Sequence, residues 1–382
     1  MCDKRDQKHV IGGIFLDLRK AFDVIPHNFI LAKLKFYGIK GKEYDWLESY
    51  LTDRRQFVTV NNCSSECLKI KSGVPQGSIL GPLIFCLFIN DMCNVNLHFN
   101  SKMSLYADDT AIFNHGETMK EVQKNLQDDF VTICKWLDLN NMHLHPRKTK
   151  VMAFGNKKKL RNDVLSIKFR NLPLENVKKI KYLGVMLDSG LTWCEHVSTI
   201  VCKISRAIGC IRRIKHLLSF KTMKNLYFAM ILPHIDYCST SWGSCAKIHM
   251  DKIQKLQNKY ARMILKKDYN TSQRSLLYTL KWQSVEQRMK YQYCVLVFKI
   301  LNNLIPTYLE SLICKRTVNY RTRYSLKCPL QLPHARTECK RKSFAYVGAT
   351  LFNALPVNVQ TCTSLFRFKK LCKALHIDSV EL

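Results

Sequence analysis

Three acids stand where strand propensity disfavours them. Asp17 lies in the apolar run Ile14-Phe-Leu-Asp-Leu18, and Asp108 and Asp109 lie in Leu105-Tyr-Ala-Asp-Asp-Thr-Ala111. Burying carboxylates costs free energy unless a cation offsets it. Adjacent acids at a hairpin tip, with a third on a neighbouring strand, make a cage of hard oxygen ligands suited to Mg²⁺. Such a cage can hold two ions about 3.5–4 Å apart, one lowering the pKa of an attacking hydroxyl and one stabilising the leaving oxygen. Nucleotidyl transfer needs that arrangement. A single Asp-Asp is a turn or an N-cap about nine times in ten, so the weight rests on the combination. Between the two acid sites runs Ser72–Pro82, a Gly-, Pro- and Ser-rich loop too elaborate for a connector.

The elements that must position these residues follow from periodicity. Val10–Leu18 is apolar and β-branched and reads as a strand ending at the polar Arg19–Lys20. Helical patterns cover Phe29–Tyr37 and Glu43–Leu51, followed by a short strand at Gln56–Asn61. The loop leads into an apolar helix over Pro82–Ile89, and Ser104–Phe113 reads as two strands with a tight turn at Asp108–Asp109. Met119–Asn140 has helical spacing, with Val122, Leu126, Phe130, Ile133, Trp136 and Leu137 on one side. Val151–Phe154 and Lys181–Leu187 are further strands. From about Trp193 the chain turns to long basic helices over Ile200–Leu217, Phe220–Ile231 and Met250–Leu265. The domain boundaries fall at about residue 190 and near Lys315–Leu332, dividing the chain into 1–190, 191–315 and 316–382.

Charge divides the chain in the same way. Its 61 Lys and Arg against 29 Asp and Glu give a net charge of +32 over 382 residues, which calls for an anionic partner. Residues 1–150 hold 20 basic and 17 acidic side chains, leaving 41 basic and 12 acidic in residues 151–382. A nearly neutral half carries chemistry and a basic half grips phosphates; the plain alternative is a solvated basic surface. A 47% hydrophobic composition implies a packed core. The 17 cysteines form no framework, and Cys63, Cys67, Cys328 and Cys339 with His334 make no four-ligand set, so they read as packing residues in a reducing compartment. Met1–Arg5 runs straight into charge without a secretory pattern, and no run approaches the roughly 20 apolar residues of a membrane span. An intracellular setting follows from these features.

Five strings then resemble the reverse transcriptase family, most closely that of non-LTR (LINE-like) retrotransposons of the jockey and CR1 type. They are Phe15-Leu-Asp-Leu-Arg-Lys-Ala-Phe-Asp23, Gly73-Val-Pro-Gln-Gly-Ser-Ile-Leu-Gly-Pro82, Tyr106-Ala-Asp-Asp109, Lys148-Thr149 with Phe154-Gly155, and Tyr182-Leu-Gly-Val-Met-Leu-Asp188. They occur in the family's order over half the chain. The tail, from Leu256-Gln-Asn-Lys259 to Leu351-Phe-Asn-Ala-Leu-Pro356, resembles the region after the polymerase more loosely.

The resemblance implies an α+β fold, a right-hand polymerase palm of antiparallel sheet and packed helices followed by a mostly helical thumb and a basic C-terminal region. It implies an RNA-directed DNA polymerase using two Mg²⁺, or Mn²⁺, with an RNA template, a DNA primer and dNTPs as partners. It makes Asp17 and Asp108 the metal ligands, with Asp109 in support and the Leu18 carbonyl as an extra ligand. Phe22 falls where the family places an aromatic under the sugar, which would reject a ribose 2′-OH; otherwise it is a core Phe. Gln76 and Gly77 resemble the loop that packs on nucleotide and template, where glycine lets the backbone approach closely. Lys148 resembles a lysine beside the triphosphate, against a plain surface lysine. Tyr182, Leu183 and Gly184 resemble the primer grip, against a plain core strand. Lys203, Arg206, Arg212, Arg213 and Lys215 become contacts to the nucleic-acid backbone. The nucleus is the expected location, with the cytoplasm as the alternative.

The pattern also departs from the family. Only 16 residues precede Asp17, so the chain reads as truncated, without most of the fingers and the endonuclease of jockey-like elements. Nothing after residue 193 resembles a ribonuclease H or a zinc knuckle. The second reading is therefore an inactive remnant that only binds nucleic acid.

Overall fold

The computed structural model describes residues 1–155, 164–316 and 329–375. It divides into two compact units, Lys8–Leu183 and Met1–Gln7 with Gly184–Leu382. Cys328 and parts of the region 316–382 lie outside the described residues.

The first unit is built on a five-stranded sheet in the order Glu175–Asn176, Lys150–Phe154, Val10–Leu16, Asp109–Gly116, Ser101–Tyr106. Every pairing is antiparallel except the short edge pair of Glu175–Asn176 with Lys150–Phe154. The strand Val10–Leu16 is buried along its whole length, which explains its continuous apolar sequence rather than an alternating one. The helix Met119–Leu139 starts where the Thr118 side chain accepts the Glu121 N–H at 3.2 Å. It buries Val122, Leu126, Phe130, Ile133 and Leu137, one stripe at helical spacing. Its buried Asp129 is satisfied by the N–H of His98 and the hydroxyl of Ser101, tying the helix to the start of the 101–116 hairpin. The fold class expected from sequence is the one found.

Two predicted strands differ. Gln56–Asn61 is instead an irregular arm in which Arg55–Gln56 pairs with Leu68–Lys69 and Thr59–Val60 with Cys63–Ser64. Asn61 and Asn62 both take left-handed backbone at its tip, which reverses the chain. Lys181–Leu187 is broken between Lys179–Tyr182 and Val185–Asp188, because Leu183 and Gly184 have φ of 44° and 79°.

The second unit is predominantly helical. Helix Cys194–Ile214 buries Val197, Ile200, Ile204, Ile208 and Ile211 and packs on helix Lys247–Leu265. Tyr227 stacks on Trp282 with ring centroids 3.7 Å apart, and its hydroxyl accepts from Gln257 at 2.8 Å. The predicted helix Phe220–Ile231 is α-helical only to Leu226, then widens to a π-helical turn over Tyr227–Ile231. The α-helical ladder resumes over Leu232–Asp236, where Pro233 has no N–H to donate back into the widened turn. A second cluster joins helix Val285–Leu301 to Phe344–Asn353 and Leu365–Ala374 through Phe298, Phe352 and Phe368. Arg288 closes a bidentate pair with Asp236 at 2.7 and 2.6 Å. Of the described cysteines only Cys294 and Cys372 are buried, so most do not serve as the packing residues expected.

Candidate active site

The three acids collect at one end of the sheet. Leu16 is paired with Thr110, so Asp17 leaves the central strand level with the turn of the 101–116 hairpin. Tyr106 pairs with Asp109, leaving Ala107 and Asp108 as the turn residues. Ala107 takes φ 52°, a left-handed conformation that costs a non-glycine residue free energy and persists only where the surroundings impose it. The Asp109 carboxyl is pushed above its ordinary value by partial burial, then by the negative charges of Asp108 and Asp17. Mutual repulsion of this kind places the three side chains in one electrostatic neighbourhood.

The Asp17 backbone is fixed from the segment before Lys150–Phe154. Its N–H donates to the Thr149 hydroxyl at 3.2 Å and its carbonyl accepts from His145 N–H at 2.8 Å. Leu18 makes a single antiparallel bridge to Leu144, with its side chain buried. The exposed Lys148 ammonium stands 4.0 Å from the Asp17 carboxylate. A cluster of three carboxylates with one cation beside it fits a divalent ion by the chemistry of its donors. The cage is not preassembled, however: among the described residues no three His, Cys, Asp or Glu side chains are already grouped to hold a metal.

The Ser72–Gly81 loop is clamped on the turn after Asp17. Gly73 and Val74 donate their N–H groups to the carbonyls of Ile25 and Phe22 at 2.8 and 2.7 Å. Gln76 donates its amide to Asp23 at 2.7 Å, and the buried His27 ring meets the Gly73 carbonyl at 2.8 Å. Gly73 has φ 89° and a Cβ there would lie 2.8 Å from the Asp23 carbonyl oxygen. Gly77 has φ 79°, yet a Cβ there would meet nothing within 4 Å. Within the chain the close approach therefore belongs to Gly73, and Gly77 is required by its backbone angle. Phe22 is half-buried and stacks on the buried Phe85 at 4.2 Å, so its ring is also a core contact.

Tyr182 sits with the acids. Its ring packs on Phe15 at 5.3 Å, its hydroxyl donates to Ser104 at 3.3 Å, and burial, with Asp109 contributing, pushes its pKa up. Leu183 and Gly184 form the left-handed turn described above. Lys203, Arg206, Arg212 and Arg213 line the exposed face of helix Cys194–Ile214 in the second unit, and Lys215 follows in a 3₁₀ turn.

Two basic surfaces extend beyond the residues expected from sequence. A cleft of about 740 Å³ beside the Ser72–Gln76 loop is lined by Arg54, Arg55, Lys69 and Lys71. In the second unit a groove of about 860 Å³ runs between Arg212 and Lys215 on one side and Lys259, Arg262, Lys266 and Lys267 on the other, with no acid lining it. The buried Arg262 Nε has no hydrogen-bond partner among the described residues. Sequence reading expected Arg212 and Lys215 to contact phosphates, but only the fold shows them converging with Lys259, Arg262, Lys266 and Lys267.

Comparison with known proteins agrees with this geometry. Residues 2–187 match the family "Reverse transcriptase (RNA-dependent DNA polymerase)". The probable RNA-directed DNA polymerase from transposon X-element of Drosophila melanogaster is 29% identical over 264 residues, covering 68% of this chain and 29% of that protein. Its counterpart from transposon BS of the same fly is 28% identical over 298 residues, covering 74% and 32%. The RNA-directed DNA polymerase from mobile element jockey of Drosophila funebris is 28% identical, covering 68% and 29%. The chain thus spans under a third of the length of these relatives. Among solved structures, apo telomerase from Candida tropicalis overlaps 81% of this chain and 54% of its own at 12% identity, with a TM-score of 0.40, too loose to argue from. The acid-bearing sheet and the clamped loop lie inside the matched segment, which covers just under half of the chain and resembles the reverse transcriptases of non-LTR retrotransposons such as jockey.

Proposed function

We propose that this chain is the palm and thumb part of an RNA-directed DNA polymerase that extends a DNA primer on an RNA template with dNTPs. The observation that carries this reading is the strand register, which pairs Leu16 with Thr110 and Tyr106 with Asp109 and so brings Asp17 level with the turn at Asp108 and Asp109. Reverse transcriptases as a family use divalent metal ions. Two Mg²⁺, or Mn²⁺ in their place, would be held by Asp17 and Asp108, with Asp109 and the Leu18 carbonyl in support. Held there, such ions would supply Lewis acidity to the primer 3′-hydroxyl and to the pyrophosphate leaving group.

The chain's own residues do the remaining work. Lys148 supplies positive charge beside Asp17, where a triphosphate would otherwise meet only carboxylates. Gln76 and Gly77 present the clamped loop to nucleotide and template, and Phe22, backed by Phe85, blocks a ribose 2′-OH. Tyr182, Leu183 and Gly184 hold the primer end. The cleft of Arg54, Arg55, Lys69 and Lys71 receives phosphates. Residues 1–190 form the palm with residual fingers, 191–315 the thumb, and 316–382 a basic terminal region. Lys203, Arg206, Arg212, Arg213 and Lys215, together with the groove of the second unit, contact the nucleic-acid backbone. The family resemblance favours the nucleus as its location, with the cytoplasm as the alternative.

Primer extension on an RNA template with Mg²⁺ and dNTPs tests this directly. Incorporation that disappears in Asp17→Asn supports the reading, and incorporation that persists in it refutes the assignment. The basic groove also supports a second reading, binding without catalysis, which predicts salt-sensitive RNA retention and no extension.

A further inference from the structure

We propose that Cys2 and Cys339 form a reversible oxidation site, a thiol pair that peroxide converts into a disulfide fastening the N-terminal helix to the C-terminal region. Their sulfurs stand 3.7 Å apart across 337 residues of sequence. Both cysteines are half-buried within the second unit, accessible to a small oxidant yet held in place.

The backbone around the pair is pinned on both sides. Helix Cys2–Asp6 packs on helix Glu338–Arg341. The Asp6 carboxylate accepts the N–H groups of Arg336 and Thr337 at 3.1 and 2.7 Å and the Thr337 hydroxyl at 2.7 Å. Asp3 makes an ion pair with Lys340. Because a disulfide needs an S–S distance of about 2.05 Å, the sulfurs must close by under about 2 Å, a movement within side-chain rotation.

The chemistry is asymmetric. The hydrogen bond shared with Cys2 and the nearby Arg5 guanidinium lower the Cys339 thiol below its ordinary value, which makes it the attacking member of the pair. Burial pushes Cys294 up and Cys372 up to about 12, which keeps those thiols protonated and inert. The Cys339 thiolate attacks hydrogen peroxide and the O–O bond breaks, leaving a sulfenic acid and hydroxide, which takes the Cys2 proton to give water. The Cys2 sulfur then attacks the Cys339 sulfur, the S–S bond forms, and the sulfenic oxygen leaves with a proton as the second water. Two thiols and one peroxide give one disulfide and two waters. The bond would anchor the segment that leads directly into strand Val10–Leu16 and Asp17.

This inference does not depend on polymerase activity. The reduced chain is exposed briefly to hydrogen peroxide, quenched with N-ethylmaleimide, digested without reductant and mapped by mass spectrometry. The expected result is a linked Cys2–Cys339 peptide pair, two hydrogens lighter than its thiol forms, appearing before Cys63 or Cys67 loses alkylation and vanishing with dithiothreitol. In Cys2→Ser, Cys339 should accumulate as a sulfenic acid trapped by dimedone. Full alkylation of Cys2 and Cys339 after peroxide, linkage of Cys339 to another cysteine, or no gain in dimedone trapping in Cys2→Ser would overturn the proposal.

Discussion

Lys148 and Asp17 face each other at 4.0 Å, the Lys148 side chain 63% exposed and the Asp17 side chain 41% exposed. An ion pair this open contributes little to stability, and on the proposed reading its role is chemical. Lys148→Ala should lower the extension rate by about 10–100-fold, at the lower end of what a positioned proton donor contributes. Thermal unfolding should be unchanged within error. Lys148→Arg separates the roles: near-normal rate means a counter-charge, and a loss equal to that of alanine means proton transfer.

Phe22 serves two masters. Its stacking on Phe85 at 4.2 Å means that Phe22→Val removes a core contact and, on the proposed reading, a sugar barrier as well. The variant should incorporate ribonucleotides at a raised ratio to dNTPs, and should lose about 1–2 kcal/mol in denaturant unfolding. Unaltered sugar selectivity with the stability loss present would leave Phe22 as packing alone.

The two loop glycines should respond differently. Gly73→Ala forces a Cβ against the Asp23 backbone at 2.8 Å in a left-handed conformation, so the clamp on Phe22–Ile25 should open and extension fall more than tenfold. Gly77→Ala pays only the backbone term, about 1–2 kcal/mol, with no clash. Limited proteolysis between residues 72 and 81 reports which variant has released the loop.

His196 gives the helical unit an acid limit. Burial, with Lys203 adding, lowers its pKa to about 4; Nδ1 accepts from Met186 N–H at 3.3 Å. Its folded value lies below the ordinary 6.5, so the unfolded chain takes up the proton first. The contribution is complete above pH about 6.5 and is lost as pH falls towards 4, at most about 3 kcal/mol. His196→Phe should flatten that limb of the stability profile, and an unchanged acid slope would mean that other groups set it.

The basic groove should govern affinity. Lys259→Glu with Lys266→Glu places two acids opposite Arg212 and Lys215, and should weaken RNA binding at least tenfold while reducing its salt dependence. Equal loss on every RNA sequence is the expected pattern.

The acids were legible because carboxylates at the ends of apolar strands are costly, and the ordered strings around them left few alternatives. The sheet was legible because period-2 and uninterrupted apolar runs report strands. Leu183 was not, since a leucine in left-handed backbone carries no local signal and its turn divides what reads as one strand. The clasp of Gln76 on Asp23 joins residues 53 apart, which no local pattern encodes. Arg262, with its unpartnered Nε, carries no local signal of the groove it lines, because that groove forms only where two helices meet. The expectation of packing cysteines failed for a general reason: composition reports how many thiols a chain has, and only the fold reports where they lie.

Iron-directed cleavage asks most directly whether residues 17, 108 and 109 share divalent metal. Fe²⁺ takes the place of Mg²⁺, and ascorbate with peroxide then cuts the backbone beside the bound ion. Cuts should appear both near Asp17 and near Asp108, compete away with excess Mg²⁺, and vanish together in Asp17→Asn with Asp108→Asn. Cuts at only one of the two segments, or a pattern unchanged in the double variant, would contradict it.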